Sequence, residues 1–354
     1  MHKTFTLVFL AICFSLSGPF SFGQTGGQHV FQFLNLSPSA RITAMGGNFI
    51  SLMDDDPSLA FQNPALLNPS MNNHLSLNTV DYISDINYGY AGFVHSFDTI
   101  KTTFNAGIQY IHYGSFNSTD AVGNTSGTFN GSEYAISIGA GREYTERFYY
   151  GASITFITSH LESYTSNGAA LTLAGAYHDA ENGLTASVLF KNVGTQFKSY
   201  IPGNHEPLPF DIEAGISKRL IHTPFLFSLV FHDLQKFDIR YNDPNELPGT
   251  TIVLDSSRQV KSKNYIADKI FLHCIFGAEI YVGKNVRLNL SYNHQRRQEL
   301  AYELHKGLSG FSFGANVRIN RFNIGYGRSI YNDASGINHL TVGINFDDWF
   351  GKKM

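Results

Sequence analysis

The chain has 354 residues, with 25 Lys and Arg against 28 Asp and Glu, a formal net charge of −3. Charged residues are 15% of the total, well under the usual share of about a quarter, while Gly (33), Phe (30) and Tyr (19) are abundant. No basic surface for nucleic acid is indicated, and beyond the N-terminus no apolar run nears the ~20 residues of a membrane helix.

The N-terminus reads as a processing signal over 1–23. Lys3 is its basic start, Phe5 to Leu16 its short apolar core, and Ser21-Phe22-Gly23 a small-x-small cleavage site before Gln24. A lipid anchor on Cys13 is disfavoured, because Ile12 sits where a small residue is needed. The exported chain then keeps only Cys274, so no intrachain disulfide forms, and Cys274 reads as a small apolar strand residue.

Residues 24–73 do not alternate. Turn formers (Gly46-Gly47, Pro57, Pro64, Pro69) and an acidic triplet (Asp54, Asp55, Asp56) dominate. Asp56-Pro57 is expected to start a helical turn, with Asp as cap and Pro at the first position. The segment is either a leader packed against a sheet or a plug inside a barrel.

Alternation begins at His74 and fills 74–354. Strands are predicted at 74–82, 87–97, 101–113, 133–141, 148–158, 168–178, 182–191, 211–218, 224–233, 268–280, 284–293, 308–319, 321–330 and 336–346. The pair 311–329 is the clearest. Phe311, Phe313, Ala315, Val317 and Ile319 share one face and Ser312, Asn316 and Arg318 the other. Asn320-Arg321 leaves room only for a tight turn.

The gaps sort into two sets. One is long and variable, including 114–132, 192–210, 234–267 and 294–307; the other, including 98–100, 142–147 and 281–283, stays short. This is the pattern of a bacterial outer-membrane barrel, with short periplasmic turns, long surface loops and periplasmic termini. The predicted fold is therefore all-β: a 14-stranded antiparallel transmembrane barrel. Tyr82, Tyr88, Tyr90, Tyr110, Tyr113, Tyr149, Tyr150, Tyr177, Tyr281 and Tyr326, with Trp349 and Phe350, are expected to form aromatic girdles at headgroup depth. The face carrying Phe311 to Ile319 and Phe322 to Tyr326 is expected to meet lipid, and the lumen to be polar with few charges.

Catalytic and metal signatures are not found. The 14 His are scattered, without H-E-x-x-H or paired Cys/His spacing. No G-x-S-x-G context accompanies any Ser. Asp54 to Asp56 lack the alternating spacing of a calcium loop and read better as a polar cap. No enzyme activity, cofactor or metal is expected. In 234–267, Tyr241, Leu247, Ile252, Val253 and Leu254 form a candidate partner-binding run; the alternative is a hairpin that packs on itself. Loop 294–307 is charged and helix-like.

Three features of the N-terminal segment, the step Gly46-Gly47, the stretch Asp54–Asp56 and the box Asn63-Pro64-Ala65, resemble the hatch of the FadL-like fourteen-stranded outer-membrane family. The stretches FLNLSPSARITAMGGNFIS, DDDPSLAFQNPALLNPS and YIHYGSFNSTDAVGNTSGTF more closely resemble the PorQ-like barrels of the type IX secretion system. That resemblance implies a hatch over 24–73 and a non-enzymatic barrel seated in outer-membrane lipid. It also implies a place in a cell-surface attachment complex. Such a barrel anchors PorZ and, through it, meets the sortase-like protease PorU and the cargo-binding barrel PorV. The alternative is a transporter of hydrophobic small molecules. It would need an apolar pocket by the hatch, for which Phe31, Phe33, Leu34, Phe49, Leu52, Met53 and Phe61 are candidates. It would also need a lateral opening, for which Gly107, Gly139 and Gly175 are candidate kinks. A polar porin is disfavoured by the plug.

Overall fold

The computed structural model describes residues 29–82, 84–240, 266–300, 307–331 and 336–347. The signal at 1–23, the candidate loop residues Tyr241, Leu247, Ile252, Val253 and Leu254, and Trp349 and Phe350 lie outside the described residues.

Among the described residues the strands are β1 (His74–Asp81), β2 (Asn87–Phe97), β3 (Thr102–Thr119), β4 (Thr125–Thr145), β5 (Phe148–Leu161), β6 (Tyr164–Asp179), β7 (Leu184–Lys198), β8 (Asp211–Arg219), β9 (Phe225–Phe231), β10 (Cys274–Val282), β11 (Val286–Asn293), β12 (Phe311–Ile319), β13 (Phe322–Ile330) and β14 (Gly336–Asn345). Each pairs antiparallel with the next, and β1 pairs with β14 to close the barrel. Closure matters because an open edge would leave backbone N–H and C=O groups unpaired in lipid.

The period of two decides which side faces out. On β12 and β13, Phe313, Ile319, Phe322, Ile324 and Tyr326 are exposed, while Ser312, Asn316 and Ser329 are buried. Asn320 makes the turn between them with φ 52, a left-handed conformation that Asn tolerates better than most residues. The same alternation runs round the wall, with Ile136, Ile138, Leu173, Val188 and Leu290 outward.

Several boundaries differ from the sequence expectation. Most of 114–132 is strand: β3 and β4 continue to Thr119 and Thr125, with register shifts at His112/Ser115 and Ser118/Thr119. The Ser, Thr and Asn of this stretch pair across a hairpin rather than forming a loop. Likewise 159–167 shrinks to a two-residue turn, with Glu162 at φ 58. The strand expected from 268 begins at Cys274, because a helix, α3 (Ile266–Leu272), precedes it.

Residues 29–73 pack against inward-facing positions of the strands. They hold helices α1 (Ala40–Ala44) and α2 (Pro57–Gln62), with short 3-10 turns at Gln32–Asn35, Pro64–Leu66 and Pro69–Met71. Ser39 Oγ accepts from Ile42 N at 3.3 Å to cap α1. Asp56 Oδ1 accepts from Ser58 N at 3.0 Å to cap α2, and Pro57 holds its first position. The hatch brings an apolar core to a polar lumen. Ile42, Met45, Phe49, Leu59 and Leu66 pack with Leu226 of the wall; Phe31 and Phe33 pack with Val80, Tyr88, Ile111 and Ile157. Each such side chain is worth about 1.5–3 kcal/mol when fully buried. Tyr88 and Tyr90 therefore do not belong to a girdle. They point inward, 2% and 3% exposed, and serve this core, whereas Tyr110, Tyr150 and Tyr326 face out.

Candidate functional site

The functional question is how the hatch is held, and what spaces it leaves. Of the motif residues expected from the sequence, Gly46, Gly47, Asp54, Asp55, Pro64 and Ala65 touch the wall, while Asp56 and Asn63 bond within the hatch.

Gly46 and Gly47 end α1 with φ 96 and 101. A Cβ on Gly46 would run into the Ile275 side chain. The step thus needs glycine for both conformation and space. Its carbonyl accepts from Arg296 Nη2 at 3.3 Å and Asn293 Nδ2 at 3.4 Å.

Arg41, on α1, is 1% exposed. Its Nε and Nη2 donate to the two oxygens of Glu279 on β10 at 2.9 and 2.8 Å. Its Nη1 donates to Asp54 at 2.6 Å and Asp56 at 3.3 Å. Burial opposes the charge on Arg41, but Asp54, Glu279 and Asp56 outweigh it and hold its pKa well above the usual value. Burial pushes the Asp54 carboxyl up, against the pull of Arg41 and Arg287. Burial also works against the charge of Asp55, yet Arg318 and Arg287 bring its pKa below the ordinary value. Asp55 pairs with Arg318 of β12 and, at 3.4 Å, with Arg287 of β11. The acidic triplet is therefore a triple anchor to arginines, with a cap at Asp56. Such fork-like pairing suits buried guanidinium.

Asn63 Nδ2 donates to the Ile50 carbonyl at 2.7 Å, and its Oδ1 accepts from Ala65 N at 2.9 Å. Pro64 then lies on Gly141 of β4 and Gly151 of β5, where any Cβ would strike the Pro64 carbonyl. On another wall, Lys191 of β7 meets Glu213 of β8 at 3.3 Å, and Asn48 of the hatch reaches the same carboxylate at 3.3 Å. The lumen is thus more charged than expected, because its charges are paired across the hatch and between strands. Arg318 was legible as a residue of the polar strand face, but Arg41, Glu279, Arg287, Lys191 and Glu213 were not singled out by sequence reasoning. For the strand residues the signal was present: isolated charges at inward positions in a charge-poor chain.

The hatch leaves two notable cavities. One, of about 50 Å³, lies between Leu34, Leu36, Pro38, Phe61 and Gln62 of the hatch and Gln109, Ser137, Ser153, Thr155, Thr172, Lys191 and Asn192 of the wall. It abuts a register shift between β6 and β7 at Leu171/Leu173, where Asn192 has φ 56. Of the expected pocket residues, Leu34 and Phe61 line it; Phe31, Phe33, Phe49 and Leu52 pack in the hatch core, with Met53 against it. The glycines expected to kink the wall do other things. Gly107 makes room for the Phe61 ring and Gly139 for Asn105, while Gly175 meets open space. The second cavity, of about 70 Å³, lies at the short-turn end among Ser39, Arg41, Asp55, His74, Ser76 and Arg318. Among the described residues, no group of three His, Cys, Asp or Glu side chains is placed to hold a metal ion.

No family model matches the sequence, and no curated protein matches it. Solved structures do. The toluene transporter TodX of Pseudomonas putida is 12% identical, covers 87% of this chain and 96% of its own, and has a TM-score of 0.50. A TodX monoaromatic hydrocarbon channel mutant is 11% identical over 87% and 97%, also at 0.50. A Pseudomonas aeruginosa FadL homologue is 9% identical over 87% and 98%, at 0.48.

The fold is that of the FadL-like outer-membrane barrels.

At these identities the likeness speaks for the fold. It agrees with the outward apolar belt, which suits a barrel embedded in the outer membrane.

Proposed function

We propose that this barrel passes small hydrophobic molecules across the outer membrane, with the hatch as its closed gate. The observation that carries the reading is the 50 Å³ cavity, which sits against the hatch residues Leu34, Leu36, Pro38 and Phe61 and beside the β6–β7 register shift. The hatch side of this cavity is apolar apart from Gln62 and its wall side is polar, so it offers a hydrophobic molecule one apolar face beside an irregular point in the wall. Two proteins with this fold, a toluene transporter and a monoaromatic hydrocarbon channel, support the same reading. The cavity is well below the ~150 Å³ that holds a benzene ring, so a ligand enters only when Phe61 or Leu34 moves. The test is uptake of a labelled monoaromatic hydrocarbon by vesicles carrying the purified barrel. Phe61→Ala should raise it and Leu34→Trp should lower it. Uptake equal to that of empty vesicles sinks the reading.

A second reading is favoured by the β3–β4 hairpin. Residues 115–130 run beyond the ends of β2 and β5 pairing and stand clear of the barrel. Together with the resemblance to PorQ-like barrels, this supports a platform of the type IX attachment complex. Its termini would be periplasmic and its long loops would hold a PorZ-like partner at the surface, linked to PorU and PorV. Neither reading involves an enzymatic step.

A further inference from the structure

A helix at a water-facing surface turns its apolar stripe to the core and its charges outward. Helix α3 does the reverse. Ile266, Ala267, Ile270 and Phe271 are exposed, the three larger ones at 68%, 47% and 48%. At about 100° per residue these four positions share one arc, and Asp268, Lys269 and Leu272 the other. The second arc faces the protein. Leu272 is buried. Lys269 Nζ pairs with Asp238 at 2.7 Å and lies 5.8 Å from the centre of the Phe237 ring. Asp268 Oδ1 lies 3.5 Å from His294 Nε2. His294 opens a second short helix, α4 (His294–Leu300), which packs on α3.

The exposed arc continues the apolar belt of the wall. The Phe271 ring lies 6.2 Å from that of Phe276, an outward residue of β10. Phe276 is the register partner of Tyr292 on β11, and Tyr292 that of Phe311 on β12. This row of rings stands at the end of the wall opposite the short turns. The Tyr292 hydroxyl meets His294 Nδ1 at 2.8 Å, so its ring belongs to the belt and its polar tip to the helices above. Tyr takes this posture at the headgroup level of a bilayer. The wall is also low here. Among the described residues β9 is the shortest strand, with 7 residues, and β10 beside it has 9. At about 3.4 Å per residue and a tilt of about 40°, they rise roughly 18–23 Å, short of the ~25 Å apolar band of such barrels. A helix about 10 Å across, laid along their ends, makes up the difference.

We infer that α3 is a membrane-surface helix, whose Ile266, Ala267, Ile270 and Phe271 face lies among lipid acyl chains and completes the belt above β9 and β10. Its partner is the bilayer leaflet at the long-loop end. The helix needs no water on its other side, because Asp238 and His294 meet its two charges. The inference stands apart from both readings of the barrel's function and rests only on its place in the outer membrane.

Fluorescence quenching tests it in the full barrel reconstituted into phosphatidylcholine vesicles. Trp349, the chain's single Trp, is changed to Phe, and one Trp at a time is introduced by Ile270→Trp, Leu290→Trp or Val122→Trp. Leu290 is an outward wall residue, and Val122, 86% exposed, stands at the tip of the β3–β4 hairpin. Phosphatidylcholine brominated along its acyl chains should quench Ile270→Trp to within about twofold of Leu290→Trp and leave Val122→Trp almost untouched. Ile270→Trp quenched no more than Val122→Trp overturns the assignment. The unsubstituted protein gives a second readout that no folding defect can confuse. A hydrophobic carbene precursor dissolved in the same bilayer should label Ile266 to Phe271 as well as the outward residues of β10. Label on β10 alone overturns the inference equally, and leaves that face to water or to another protein.

Discussion

Arg41 and Glu279 meet through two parallel hydrogen bonds of 2.9 and 2.8 Å, across 238 positions of the chain. The pair joins the first helix of the hatch to the inner face of β10. With Asp54 and Asp56 on the remaining nitrogen, it makes the hatch a charged bolt in a polar lumen.

Removing one partner leaves the other charged and buried. Arg41→Met should therefore cost about 3–5 kcal/mol, and Arg41→Met with Glu279→Met should recover part of that. The check is the temperature at which the barrel loses its fast gel migration. Equal losses in the single and double variants would remove the pair from the account.

Asp55 gives the hatch an acid-sensitive component. Its folded pKa lies below the ordinary value, because Arg318 and Arg287 outweigh burial. Such a group stabilises the fold above the ordinary carboxylate pKa of about 3.9 and loses that contribution as pH falls through the folded value. Melting curves of the native protein and Asp55→Asn should thus differ at neutral pH and converge in acid. Asp54, raised by burial, has the opposite sign and does not produce this convergence.

Gly151 touches the Pro64 carbonyl with no room for a side chain. Gly151→Val should overpack that contact by about 1–3 kcal/mol and push the Asn63-Pro64-Ala65 turn off the wall. The barrel itself should still close, since Gly151 pairs normally with Gly141. Single-channel recording should then show added conductance; an unchanged closed state would mean that this contact does not seat the hatch.

Leu290, 54% exposed on β11, tests the lipid-facing assignment. Leu290→Arg should cost about 2–4 kcal/mol if the position lies near the bilayer midplane. Refolding equilibria in lipid vesicles measure this directly, and a neutral outcome would place Leu290 away from the hydrocarbon.

The hairpin at 115–130 separates the two functional readings. Replacing 115–129 with a short turn should leave a folded barrel with normal hydrocarbon uptake. Loss of a surface partner from the host outer membrane upon this change would favour the platform; retention would favour the conduit.

The sequence by itself determined the closed wall. A period of two, read at Phe311 to Tyr326, is a local property, and each strand carries its own sidedness whatever it pairs with. The strand number and the order of neighbours follow from consecutive antiparallel hairpins. The capping of α2 by Asp56 was equally legible, because it acts over two residues. The tertiary structure alone decided the site. Arg41 finds Glu279 and Asp55 finds Arg318 only after the chain has folded back into its own lumen, over separations that no spacing rule reaches. The same holds for Tyr88 and Tyr90, whose residue type suits a headgroup girdle and whose position turns them to the hatch. It also holds for Ser76 and Asn78 of β1: they are ordinary inward polar residues in the sequence, and only the folded packing leaves Ser76 Oγ and Asn78 Nδ2 buried without a partner.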